Sequence, residues 1–317
     1  MSTRDVWIEA AALSVLAAFL YQSAVLVFVF LVPLVALGRR RGADWLGMGC
    51  VATALVILVS RLTSLIRLSA PWDFAVLLME MLPPVLFLAG LYLLETRLLV
   101  GVRRLYRLVQ AVLIAGAASV PVIILASSSE TAMQVLRQQF EVLNSMLGGG
   151  TAGGAVGGYG SVDGLMTAVF DLLLSTFLFA YSLVLAGNWY LGQLIAAKTM
   201  GTEPFRLRAF RLPDVAIWAL VAAGGAAVLS FAGNLGVFEH LAWNALFVSL
   251  LLYAAQGLGI LWSLLDRYDV ASGIRIGIGF ALAILLVTPG ANVLVLLGLP
   301  GLGVAETWID FRRFERS

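Results

Sequence analysis

Apolar runs of about 18 or more residues recur along this chain, parted by short loops that hold nearly all of its positive charge. A run of that kind reads as a transmembrane helix, since about 20 helical residues cross the roughly 30 Å hydrocarbon core with every backbone group paired internally. Six segments stand out: Trp45–Ser60, Phe74–Leu94, Val109–Ala126, Leu165–Leu185, Val215–Phe231 and Leu241–Leu261. The two ends are less regular. Val6–Leu37 holds 32 residues, about 48 Å as one straight helix. It is either two short helices turning at Tyr21-Gln22-Ser23 or one long, tilted helix kinked at Pro33. Ile276–Val304 is interrupted by Pro289-Gly290 and reads as two short helices, a re-entrant pair in the limit. The expected fold is an all-α, polytopic integral membrane helix bundle of eight to ten spans, with broken or re-entrant helices near both ends.

Composition agrees. The chain is 61% hydrophobic and only 12% charged, whereas a soluble domain carries about a quarter charged residues. No polar stretch is long enough to fold alone, so residues 1–317 are expected to form a single integral membrane domain. At the N-terminus, Arg4 is offset by Asp5 and Glu9, and no small-x-small cleavage site follows the first apolar run. The reading is a retained first span rather than a cleaved signal.

Of the 20 basic residues, 19 are arginines. They follow alternate spans: Arg39-Arg40-Arg41, then Arg97, Arg103, Arg104 and Arg107, then Lys198, Arg206, Arg208 and Arg211, then Arg267 and Arg275, and finally Arg312, Arg313 and Arg316. Arg61, Arg67 and Arg137 are left for the other side. The positive-inside rule assigns the rich face to the cytoplasm, and the C-terminus joins that face if Pro289-Gly290 turns the chain back.

On the sparse face lies a longer loop, residues 127–164. Met133, Leu136, Phe140, Leu143 and Leu147 recur at helical spacing, and a capping box is open to either Ser127 with Glu130 or Thr131 with Gln134. A Gly-rich stretch follows. The segment is expected to be an extracytoplasmic amphipathic helix plus a Gly-rich loop, either resting in the interface or acting as a lid.

Ionisable groups inside a span are costly and tend to be functional. Glu80 precedes Pro83-Pro84, a pair expected to kink its helix and free backbone carbonyls near a carboxylate. It is a candidate for ligand binding or proton carriage, or else pairs with Arg61 or Arg67. Asp171, about two turns into its span, is a second candidate. Asn234, Asn244 and Gln256 lie in or near the later spans and either contact a ligand or hydrogen-bond between helices. Asn188, beside Trp189 and Tyr190, reads as interfacial, and Glu239-His240 as solvated. Ala223-Gly224-Gly225-Ala226-Ala227 and Gly273-x-x-x-Gly277 are small-residue stretches suited to close helix packing or to a partner subunit.

Several classes are excluded. A lone Cys50 and a lone His240 leave no Cys or His set for zinc or an iron–sulfur cluster. No Gly-x-Ser-x-Gly or His-Glu-x-x-His occurs, no ATPase motif is present, and no cofactor is implied. An enzyme is not expected. The arginines follow topology instead of forming a basic patch with interleaved aromatics, so nucleic acid is not an expected partner.

Leu212-Pro213 with Trp218, then Asn234, Gln256-Gly257-Leu258, and a closing Gly303, Trp308, Asp310-Phe311-Arg312-Arg313 carry a resemblance that spans most of the chain. With Leu31-Val32-Pro33-Leu34 and the arginines after it, the chain resembles the YybS-like family of uncharacterised bacterial multi-pass membrane proteins. More remotely, the layout is similar to the substrate-binding subunits of energy-coupling-factor vitamin transporters and to the rod-shape protein MreD. The resemblance implies the bacterial inner (cytoplasmic) membrane and no family binding residue. The regular Ala-x-x-x-Ala repeat of the vitamin subunits is missing from the first helix, where only Ser14 and Ala18 approach it. The expected function is binding of a small-molecule ligand within the helix bundle, as a transporter or a transporter subunit working with a partner membrane subunit or ATPase module. The alternative is a non-transporting membrane scaffold whose arginine loops contact partners or membrane lipid.

Overall fold

The computed structural model describes residues 3–23, 26–67, 73–96, 104–146, 162–201, 205–233 and 236–312. Among these, every element is helical: α1 (Thr3–Gln22), α2 (Val32–Arg41), α3 (Ala43–Arg67), α4 (Phe74–Glu95), α5 (Arg104–Ser128), α6 (Glu130–Met146), α7 (Val162–Met200), α8 (Ala216–Ala232), α9 (Val237–Arg267), α10 (Ser272–Val287) and α11 (Asn292–Ala305). Six helices are long and apolar enough to cross a membrane, and the bent α10–α11 pair makes seven if taken as one span. That is fewer than the eight to ten expected from hydropathy. The difference has a physical origin, because α2 has only 10 residues and α8 only 17, short of the length that crosses the core unaided. The chain packs as two compact units, residues Met1–Leu174 with Ala180–Pro204, and residues Ser175–Phe179 with Phe205–Ser317.

In the first unit the N-terminal segment is two helices. Helix α1 ends at Gln22, a short 3-10 turn covers Leu26–Val29, and α2 starts at Val32. Pro33 therefore opens a helix instead of kinking one, at a position where its missing N–H has no intrahelical partner to lose. Backbone that leaves a helix in apolar surroundings needs another acceptor. Asn188 supplies it: its Oδ1 accepts the Leu31 N–H at 2.9 Å, and its Nδ2 donates to the Val184 carbonyl at 2.8 Å. Asn188 is fully buried, and its side chain is spent on backbone rather than left to the surface. Helices α1 and α3 are joined by hydroxyls at their contact. Ser14 Oγ donates to the carbonyls of Ala10 and Gly49, and Thr53 Oγ1 donates to those of Gly49 and Ser14. Arg40 and Arg41 of α2 pair with Glu9, so both ends of this hairpin meet at one arginine-rich end of the unit.

The second unit is built around α9. Ala223 and Ala227 of α8 are buried in its packing. Helix α11 meets α9 backbone to backbone, where a Cβ at Gly257 would stand 2.0 Å from the Leu299 carbonyl oxygen. Gly273 and Gly277 have nothing within 4 Å of an added Cβ, so among the described residues the Gly-x-x-x-Gly pair of α10 makes no close packing. Between α10 and α11 the chain turns by 119°, with Gly290 at φ +82° after Pro289. A left-handed residue there is cheap only for glycine. The interruption expected at Pro289-Gly290 is present.

Candidate functional site

Asp73 sets the start of α4 by accepting the Ala75 N–H at 2.7 Å. Six residues into that helix comes Glu80, and one turn later the two prolines. Pro83 and Pro84 lie inside a continuous helix and carry no N–H, so the carbonyls of Met79 and Glu80 lose their i+4 donors. Glu80 faces Arg61 of α3, whose Nε stands 3.8 Å from Glu80 Oε2. That separation exceeds hydrogen-bond range. The Arg61 Nε is buried without a hydrogen-bond partner, while the two side chains as wholes retain 38% and 27% exposure. Beside them Ser60 Oγ donates to Gln22 Oε1 at 3.1 Å, and Tyr21 lies within electrostatic reach of both charges. The arrangement is a loosely engaged ion pair with unspent hydrogen-bonding capacity, next to two under-satisfied carbonyls and between α1, α3 and α4.

The other sequence candidates fall elsewhere. Asp171 is exposed on α7 and has no hydrogen bond or ion pair among the described residues. Asn234 lies outside the described residues. Asn244, buried, accepts the Leu178 N–H at 2.7 Å and donates to the His240 carbonyl. Gln256, buried, accepts the Leu212 N–H at 2.7 Å and donates to the Gly303 carbonyl at 3.0 Å. Both amides hold backbone. His240, read as solvated, is half-buried with its Nδ1 2.8 Å from Ser175 Oγ.

Two polar clusters were not anticipated. In the first unit Glu95, at the C-terminal end of α4, accepts from Trp189 Nε1 at 2.7 Å and from Gln193 Nε2. Arg39 stands 3.6 Å away. In the second unit Glu306 is buried and takes a bidentate contact from Arg312, at 2.7 Å to Nε and 2.5 Å to Nη2. Arg312 also donates to the carbonyls of Arg208 and Phe210. A carboxylate at a span end close to arginines was the signal for both, but it does not say which arginine pairs.

The amphipathic helix is anchored. Neither Ser127 nor Thr131 caps α6, since α5 runs on through Ser128. Ser129 is the cap, accepting the Ala132 N–H at 3.1 Å and donating to Asp73. Ala132, with Val135 beside it, packs on Ala75, Val76, Met79 and Ala126. Phe140 contacts Phe170 at 6.1 Å. Leu143 and Leu147 lie where side chains are outside the described residues.

The hydrogen bonds from Ser129 and Ala75 hold the Asp73 carboxyl below its usual range. A carboxylate with a depressed folded pKa stabilises above its unfolded pKa of about 3.9, and this contribution disappears as pH falls through the folded value. Docking of α6 is therefore expected to be constant from neutral pH to about pH 5 and to weaken below about pH 4. Hydrogen exchange at the Ala132 and Val135 amides reads this directly. Asp73→Ala should loosen them at neutral pH and remove the difference between neutral and acid pH, and equal protection at pH 3 and pH 7 in the parent would contradict the linkage.

Comparison with family models, with curated proteins and with solved structures returns no match.

Proposed function

We propose that this chain is a multi-pass inner-membrane protein that binds a small solute at the Arg61–Glu80 site, as a transporter or as a transporter subunit working with a membrane partner or ATPase module. The observation that carries this reading is the buried Arg61 Nε without a hydrogen-bond partner, 3.8 Å from the Glu80 carboxylate; the Arg67 side chain, the other partner expected for Glu80, lies outside the described residues. A buried donor left open in this way calls for a partner, and a bound ligand would supply one. Broken helices that bring polar backbone into the bilayer are the usual material of such sites. A guanidinium, a carboxylate and two carbonyls without i+4 donors together suit a zwitterionic or amphoteric solute.

On this reading the arginine-rich loops and the C-terminus face the cytoplasm. The bent α10–α11 pair and the short α8 add to the six long helices, giving eight membrane-entering elements. Asp171 is left out of the site. A span anchored at Trp189 uses about 30 Å of helix by Val169, which sets Asp171 at the far boundary.

Glu80→Gln and Arg61→Gln, screened by thermal shift against charged, zwitterionic and neutral solutes, test the proposal. A solute that stabilises the parent by several degrees is expected to lose that effect in both variants. If every solute that stabilises the parent stabilises them equally, the site is elsewhere. The second reading, a membrane scaffold, draws on the amides: Asn188, Asn244 and Gln256 are all engaged in holding backbone. Crosslinking in cells separates the two, because a scaffold captures envelope-assembly proteins even when Glu80 and Arg61 are replaced.

A further inference from the structure

The Arg61–Glu80 pair holds one charge of each sign. Arg61 Nε stands 3.8 Å from Glu80 Oε2, and among the described residues these are the two charges that act on Tyr21 beside them. The other side chains at hand are neutral, with Ser60 hydrogen-bonded to Gln22. A solute with a single charge is attracted by one member of such a pair and repelled by the other at nearly the same distance, so the two effects largely cancel. A solute with both charges escapes the cancellation by lying antiparallel to the pair, anion against the guanidinium and cation against the carboxylate.

Spacing then selects among zwitterions. Both contacts form together only when the solute's own charges stand about as far apart as Arg61 and Glu80 do. In an α-amino acid one carbon parts the ammonium from the carboxylate, which leaves N and O about 3 Å apart. Each added methylene lengthens the extended molecule by about 1.3 Å, so a longer amino acid must fold back and immobilise more bonds to fit. The carbonyls of Met79 and Glu80 set a further condition, because Pro83 and Pro84 leave them without i+4 donors. A primary ammonium carries three N–H donors, enough to meet both the carboxylate and a carbonyl. A trimethylammonium offers none. We propose, building on the binding role of Arg61 and Glu80, that the solute is a primary α-amino acid, its carboxylate on Arg61 and its ammonium on Glu80 and the two carbonyls.

Thermal-shift titration of the purified full chain with glycine, β-alanine, γ-aminobutyrate and δ-aminovalerate tests this. The apparent affinity is expected to fall about 5-fold with each added methylene. Glycine betaine, which keeps glycine's spacing but has no N–H, should bind about 10-fold more weakly than glycine. Glycinamide and N-acetylglycine, with one charge each, should leave the melting temperature unchanged. This ladder is read on the parent protein, so it does not depend on any variant folding. Glu80→Gln and Arg61→Gln should then abolish the glycine effect. A flat ladder, betaine equal to glycine, or no stabilisation by any member overturns the amino acid. The site itself survives that result if another solute stabilises the parent and neither variant. A graded ladder that persists in both variants moves amino-acid binding away from Arg61 and Glu80 and removes the site with it.

Discussion

Replacing Gly257 or Gly303 with alanine is expected to cost on the order of 3 kcal/mol, the upper part of the usual range for overpacking. The contact is reciprocal. A Cβ at Gly257 would lie 2.0 Å from the Leu299 carbonyl oxygen, and one at Gly303 would lie 2.1 Å from that of Tyr253. Both obstacles are backbone, so no side-chain rotamer relieves them and α11 must move off α9. That movement also stretches the Gln256 bond to the Gly303 carbonyl. Gly277→Ala is the control. Nothing lies within 4 Å of its added methyl, and a glycine in a helix interior is less stable than alanine by about 0.5–1 kcal/mol. Thermal unfolding in a mild detergent should therefore move in opposite directions for the two kinds of variant. Similar melting of Gly257→Ala and Gly277→Ala would show that the helices are not in backbone contact.

Glu306→Ala is expected to be at least as damaging, about 3–5 kcal/mol. The Glu306 side chain is fully buried and that of Arg312 is only 8% exposed. Removing the carboxylate strands a guanidinium out of water. The same guanidinium holds the carbonyls of Arg208 and Phe210, so the Leu207–Ala209 turn should loosen with it. Much of the loss is the stranded charge rather than the worth of the pair. Glu306→Ala combined with Arg312→Met should accordingly be less destabilised than Glu306→Ala alone. Proteolysis near Arg208 and chemical denaturation report the two effects. A Glu306→Ala protein as stable as its parent would remove this cluster from the account of the second unit.

Much of the architecture was legible in one dimension. Hydropathy placed the long helices, the arginines grouped at alternate loops, and Pro289-Gly290 marked the bend. Each of these depends on local composition, because a lipid solvent acts on every residue of a span alike. Glu80 was legible for the same reason, as a costly group in an apolar run. Its loose geometry with Arg61 was not, since that depends on how α3 and α4 are rotated against each other.

The remaining decisions belong to the fold. Asn188 and Gln256 are ordinary amides in sequence and became backbone acceptors only because a neighbouring element exposed an N–H at their level. Ser129 took the cap that Ser127 and Thr131 had seemed equally fit to supply, because α5 continued two residues further and brought Asp73 within reach. Small-residue spacing at Gly273 and Gly277 suited either close packing or a partner subunit, and within the described residues the close contact falls instead at Gly257 and Gly303. The chain alone established that the described elements are helices suited to lipid, since hydrophobicity is additive along it. Which polar group satisfies which, and which glycine touches a neighbour, depends on facing and depth, and only three-dimensional packing sets those.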